Sequence, residues 1–168
     1  MIVFESDRIN FVKVSKEFAN DYLKMINDED VSKYISLKER NLTLEDEIVW
    51  INNKLKNNAI VFTMIEKDTN EFIGDIEVID IRDNVGEIAI AITPSKQNMG
   101  YGREAIKTMI KYMLEELKLD GVELSVYSHN LKGINCYKSI GFKEYKRDKN
   151  VGTFDNESID DIYMKYEG

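Results

Sequence analysis

Two glycines one residue apart, Gly100 and Gly102, stand in the stretch QNMGYGREA (Gln97 to Ala105), between an apolar alternating run and a long segment of helical period. Glycine lets a backbone approach a ligand with no Cβ in the way. The first turn of a helix offers unpaired N–H groups and the positive end of its dipole. Together these suit phosphate oxygens. A second stretch, SHNLKGINCYKSIGF (Ser128 to Phe142), puts Asn130, Gly133 and Tyr137 at i, i+3 and i+7. On a helix they share one face over about 10 Å of rise, enough to line an extended ligand.

Read alone, the glycine stretch admits other meanings. It can be a tight helix start that binds nothing. Gly100, Gly102 and Ala105 also satisfy the dinucleotide pattern G-x-G-x-x-G/A, with Asp120 about 20 residues further on. The context opposes that reading: TPSKQNM separates the first glycine from its strand, and Asp120 precedes the next strand rather than ending it. A phosphate-binding loop of the G-x-x-x-x-G-K-[ST] type is absent from the chain.

The elements that must position these residues follow from hydrophobic period. Arg8 to Val14 alternates as a strand, and Ser15 can cap a helix with Phe18, Tyr22, Met25 and Ile26 on its apolar face. Thr43 and Asp46 form a capping-box pattern ahead of Leu44, Ile48, Ile51 and Leu55. Between them DEDVSKYISLKERN predicts a short helix and a mobile loop, where substrate-selecting residues could sit. The runs Ala59 to Lys67, Glu71 to Arg82 and Val85 to Thr93 predict an antiparallel meander. A helix over Tyr101 to Leu117 then leads, through Asp120-Gly121, to a strand at Val122 to Ser128, which implies a parallel crossover. Leu131 to Ile140 predicts a short helix stopped by Gly141, followed by strands near Phe142 to Lys149 and Ser158 to Tyr166.

Composition narrows the function. A chain of 168 residues without a Pro, Gly or Ser-rich linker fits one domain, residues 1–168. Hydrophobic residues at 43% and charged residues at 32% are a globular balance, and no apolar run approaches the roughly 20 residues that span a bilayer. No membrane protein is expected. MIVFESDRIN shows no secretion signal, so the default location is the cytoplasm. With one cysteine, Cys136, and one histidine, His129, neither a Cys/His pair nor a His-ligated metal is expected. A net charge of -8 opposes nucleic acid and is compatible with a cationic small molecule or peptide.

The flanks carry a resemblance. Gln97-x-x-Gly100-x-Gly102 resembles the acyl-CoA pyrophosphate loop, Q/R-x-x-G-x-G/A, of the GNAT superfamily of N-acetyltransferases. Asn130, Gly133, Tyr137, Gly141 and Phe142 are similar to that superfamily's N-x-x-A/G-x-x-x-Y-x-x-x-G-F segment, and the order of elements matches over nearly the whole chain. The mid-chain and tail blocks most resemble the branch with polyamine and ribosomal-protein N-terminal acetyltransferases. The resemblance implies an α+β fold with a mixed, mostly antiparallel sheet of six or seven strands and helices on both faces.

It also implies acetyl-CoA as co-substrate and no metal. Gln97, Asn98, Met99, Gly100, Tyr101, Gly102 and Arg103 would hold the pyrophosphate, while the backbone of Ile90, Ala91 and Ile92 would pair with the pantetheine amides. Asn130 would offer its amide to the same arm, Gly133 would clear bulk, and Tyr137 would end near the thioester sulfur. A phenol near 10 can give a hydrogen bond or proton to a leaving thiolate near 8.5, so Tyr137 is the candidate general acid.

For the base, freeing a lysine-like amine at pH 7 costs about 4.6 kcal/mol and an α-amine only about 1.1. The candidates are Glu87, expected to share a strand face with Ala89 and Ala91, Glu123 on the next parallel strand, and an ordered water relay. Some relatives carry a catalytic glutamate twelve residues before the tyrosine, where this chain has Ser125. His129 is expected at the surface or as a cap, and Cys136 is expected to turn into the core. The acceptor is a polyamine, another small amine or a peptide N-terminus. A non-catalytic acyl-CoA sensor of the same fold is the other function class. The oligomeric state stays open, a homodimer included.

Overall fold

Alternation of apolar and polar residues builds eight strands into one sheet, in the order β1-β2-β3-β4-β5-β6-β8-β7. The computed structural model describes residues 1–168. The chain runs β1 (Ile2–Glu5), β2 (Ile9–Lys13), α1 (Ala19–Asn27), α2 (Glu29–Ile35), α3 (Leu44–Lys56), β3 (Ile60–Glu66), β4 (Phe72–Arg82) and β5 (Val85–Ile92). It continues with α4 (Tyr101–Glu115), β6 (Gly121–Tyr127), α5 (Leu131–Ile140), β7 (Phe142–Phe154) and β8 (Glu157–Tyr166). Every pairing is antiparallel except β5 with β6. The α+β class and mixed sheet follow the expectation, with one strand more than the upper count.

The extra strand is β1. Four residues are too short to show a period, and what holds them is tertiary: the Phe4 ring stacks on Phe11 at 4.3 Å and on Tyr112 at 4.4 Å. β7 also runs past the expected end at Lys149 to Phe154. There Asp155 and Asn156, both at positive φ, make the two-residue turn into β8. Asp83 and Asn84 do the same between β4 and β5.

Helices cover both faces. α4 and α5 pack on one, over a core that includes Phe11, Met64, Ile76, Ile106, Met109 and Phe142. On the other, α1 and α3 form a smaller core around Tyr22, Met25, Ile51 and Val61. Central β3 is buried from Val61 through Ile65 because helices cover both of its sides. The capping box at Thr43 and Asp46 forms as the spacing predicts, and the segment after Asp28 holds the short helix α2. No helix is long and apolar enough to cross a membrane.

Candidate active site

The parallel pair opens the molecule. β5 and β6 share only three rungs, from Val85 with Gly121 to Glu87 with Glu123. Beyond them β5 stays on β4 as far as Ile92, while β6 stays on β8 as far as Tyr127. The two strands part and leave a cleft of about 490 Å³ with Ile88 to Ile92 on one wall and Leu124 to Tyr127 on the other. The facing strand edges keep unpaired N–H and C=O groups, which suit an amide-bearing chain. Ile90, Ala91 and Ile92 line this wall of the cleft.

At one end of the cleft the glycine loop is tied down from several directions. Gln97 turns back, its Nε2 donating to the Ile92 carbonyl at 2.9 Å. Lys96 Nζ bridges Glu66 and Glu71, each at 2.9 Å, and the Tyr101 hydroxyl donates to Glu66 at 2.7 Å. Gly100 is the N-cap of α4 at φ 82, a left-handed conformation that glycine adopts without strain. No side chain caps α4, so its first-turn N–H groups face the loop unclaimed. A Cβ added at Gly102 would meet nothing within 4 Å, which marks the open side of that turn. Asn98, Gly100, Tyr101, Gly102 and Arg103 all line the cleft. Met99 does not: its side chain is 53% exposed, and it contributes only its carbonyl, which accepts from Arg8 Nη1 at 2.9 Å.

Arg8 is a residue the sequence did not reveal. Its guanidinium lies 4.2 Å from the Tyr101 ring centroid and pairs with Glu104 at 2.8 Å. The Ser6 hydroxyl and the Arg8 backbone N–H also donate to Glu104, at 2.6 and 2.9 Å. Burial works against the Glu104 charge, yet these donors outweigh it and hold the carboxyl below its usual value. Across the cleft mouth, Lys132 Nζ donates to Asn98 at 3.0 Å and Arg103 donates to Ser139 at 2.5 Å. Neither Arg103 nor Lys132 is in an ion pair, so both positive charges are open to an anion.

The far end is built by α5. Asn130 is its N-cap, its Oδ1 accepting from the Gly133 N–H at 3.0 Å, which leaves Nδ2 to donate elsewhere. A Cβ at 133 would sit 2.6 Å from Asn130 Nδ2, so Gly133, which lines the cleft, also makes room for the folded-back amide. Tyr137 lines the cleft, packs edge-on to Phe142 at 6.2 Å, and its hydroxyl bonds to no protein group. Burial, with Cys136 adding to it, pushes its hydroxyl up to about 12. Cys136 itself lines the cleft instead of turning into the core, because α5 buries no residue fully and lies half open along this side. Burial raises its thiol above the ordinary value.

Two further placements differ from the sequence reading, the first only in part. His129 is not a surface residue, but it does meet a carbonyl in the last turn of α2, a capping contact. Its ring packs against Phe154 at 4.9 Å and Tyr34 at 5.1 Å, with Nε2 2.7 Å from the Lys33 carbonyl. Glu87 borders no part of the cleft. It sits at the last β5–β6 rung beside Glu123, where the strands are still joined. Burial and the Glu123 and Asp80 charges raise its carboxyl. Glu123 is likewise away from the cleft and accepts from the Tyr145 hydroxyl at 3.1 Å. Ser125 and Asp161 are the polar side chains that β6 and β8 present to the cleft.

The mixed sheet is thus split between its two parallel strands, with an uncapped glycine-started helix at the mouth. The model of the acetyltransferase (GNAT) domain matches residues 8–143. The chain therefore belongs to the GNAT acetyltransferase family, and it is an acetyl-CoA-dependent N-acetyltransferase. Among relatives it is 28% identical over 138 residues to the N-acetyltransferase YnaD of Bacillus subtilis, covering 82% of this chain and 80% of that one. It is 24% identical over 140 residues to the acetyltransferase PseH of Campylobacter jejuni, covering 83% and 86%. Spermidine N-acetyltransferase from Vibrio cholerae, solved with CoA and spermine, shares the fold at TM-score 0.85 and 20% identity, covering 95% of both chains.

Proposed function

We propose that this chain transfers the acetyl group of acetyl-CoA to a primary amine by direct attack, with Tyr137 as general acid. The observation that carries the reading is the run of the cleft. It leads from open helix N–H groups at Gly100 to Arg103, beside the Arg103 and Lys132 charges, along unpaired strand edges, to a tyrosine hydroxyl with no protein partner. That sequence of chemistries fits a diphosphate, an amide-bearing arm and a thioester in turn. Gly100, Tyr101, Gly102, Arg103, Asn98 and Lys132 hold the diphosphate. Gln97 fixes the loop, Ile90 to Ile92 and Asn130 meet the arm, and Met99 takes part through its backbone. Acetyl-CoA supplies an activated acyl group.

The amine nitrogen bonds to the acetyl carbon as the C–S bond breaks. At about 12, the Tyr137 hydroxyl stays protonated across the neutral range. Complete transfer to a thiolate near 8.5 is uphill by about 3.5 units, roughly 4.8 kcal/mol. A hydrogen bond to the departing sulfur, completed to a transfer as the nitrogen returns a proton to the phenol, is therefore its role. The charge of -8 and the spermine held by the Vibrio cholerae neighbour support a cationic acceptor.

The test is CoA-thiol release from acetyl-CoA with a panel of amines and short peptides. We expect acceptor-dependent release, lowered about 10²-fold or more by Tyr137→Phe with acetyl-CoA affinity kept. Tight acetyl-CoA binding without release on any acceptor would instead identify a non-catalytic sensor. Full kcat in Tyr137→Phe would remove the general-acid role.

A further inference from the structure

A second cavity, of about 360 Å³, lies on the other side of β5, under α1 and α3, and shares Ile35, Ala89, Ile90 and Ala91 with the cleft. Its position follows from strand alternation. Asp75 and Glu77 on β4 stand opposite Ala91 and Ala89 on β5, so all four point to the α1/α3 face, and the two alanines leave the space. Gly74 brings the strands close at this rung: a Cβ there would lie 1.9 Å from the Ala91 carbonyl oxygen.

The cavity wall is apolar and aromatic, with Tyr22 and Trp50 at 5.2 Å between ring centroids. Against it stand carboxylates in unequal states. Glu77 is neutralised by Lys54, 2.7 Å away, and Asp46 is engaged in the cap of α3. Glu47 is 95% buried, at 5% exposure, lines the cavity and has no hydrogen-bond partner. Asp75 lines the same cavity with no side-chain partner either. Arg40 opposes the rise at Glu47 and Lys54 that at Asp75, but neither is bonded to the carboxylate it faces, and an unbonded carboxylate in an apolar chamber is costly unless a cation meets it.

We infer that this cavity seats the acceptor as a single ammonium head on an apolar stem, Glu47 holding the cation and Asp75 taking its proton. The inference rests on the N-acetyl transfer proposed above. The exposed Arg40 at the rim disfavours a second positive charge, so monoamines are preferred over spermidine. The step balances as follows. The ammonium gives one proton to Asp75, and the freed nitrogen forms the C–N bond as the C–S bond breaks. The sulfur leaves with the bonding pair and takes the Tyr137 proton. The nitrogen's second proton restores the phenol, and Asp75 releases its own to solvent.

Burial, with the charges of Glu77 and Glu47 adding and Lys54 opposing, pushes Asp75 up to about 8. The groups facing it are Glu77 on its own strand, Glu47 and Lys54 on α3 and Tyr22 on α1, with Arg40 and Asp46 at the rim.

The experiment measures CoA-thiol release by the full chain with n-hexylamine, phenethylamine, spermidine and short peptides across pH 6–10, together with acetyl-CoA affinity and Tm. We expect wild-type kcat/KM for the monoamines to exceed that for spermidine and to rise through about pH 8. In Asp75→Asn, kcat falls about 10²-fold or more and the rise moves toward the alkylammonium value near 10. In Glu47→Gln, KM rises roughly tenfold or more at similar kcat. Acetyl-CoA affinity is unchanged in both, and Tm is equal or higher because a desolvated carboxyl has been removed. Wild-type turnover matched by both variants, a lowered Tm with an unmoved pH profile, or a preference for spermidine would overturn the inference alone. Release on short peptides but on none of these amines would overturn the inference alone, and no release by the wild type on any amine or peptide would overturn the transfer reading itself.

Discussion

Single residues here divide between those that meet a ligand and those that hold the ligand-meeting ones still. Glu104 belongs to the second group. Its carboxyl is held below the ordinary value, so its stabilising contribution is present above about pH 4.3, the unfolded value, and is lost as pH falls through the lower folded value. Glu104→Gln is expected to lose on the order of 1 kcal/mol at pH 7, discounted for the half-exposed Arg8. For a chain of this size that is about 2–4 °C in Tm. Thermal scans of the two proteins should converge as pH drops toward 3; a constant gap would rule the ion pair out as the cause. Residue by residue, the sequence was informative where spacing carries meaning. Gly100, Gly102, Asn130 and Tyr137 are legible because helical period puts them in fixed relation. Arg8 and Asp75 are not, because their neighbours are supplied by strand pairing and helix packing across long sequence separations.

At the scale of elements, the two glycines of the loop have different jobs, and substitution separates them. Gly100 needs its positive φ, and an added Cβ would lie 3.3 Å from Arg8 Nη2. Gly100→Ala is expected to lower stability by roughly 1–2 kcal/mol, read as a fall in urea midpoint. Gly102 sits in an ordinary helical turn with open space where a Cβ would go. Gly102→Ala is expected to leave the midpoint equal or higher, since alanine favours helix, while acetyl-CoA affinity falls. Equal affinity in Gly102→Ala would mean that no ligand backbone approaches that turn. Periodicity also located nearly every helix and strand, with errors where a segment was short or its end depended on a partner: β1 was missed and β7 extended. The parting of β5 and β6 was out of reach. Nothing in Val85 to Ile92 or Gly121 to Tyr127 announces that only three rungs will form. That depends on β4 and β8 pulling the two strands apart.

For the molecule as a whole, the glycine loop and the second cavity are each assembled from segments far apart in the chain around one sheet. The Arg8–Glu104 pair joins residues 96 apart, and Tyr22–Thr63 joins the α1 side to the central strand over 41. With both cores sharing that sheet, unfolding should be cooperative. In urea, loss of acetyl-CoA binding, tryptophan fluorescence from Trp50 and far-UV circular dichroism are expected to share one midpoint when measured at low ligand concentration. A binding midpoint well below the others would show the loop melting on its own. The Arg8–Glu104 pair has one more consequence, in the order of synthesis. Arg8 leaves the ribosome early, but its partner lies 96 residues later, and β8, which holds β6, later still. A nascent chain can complete its α1 and α3 side long before it can grip a diphosphate. Acetyl-CoA would then recognise only chains that are nearly finished.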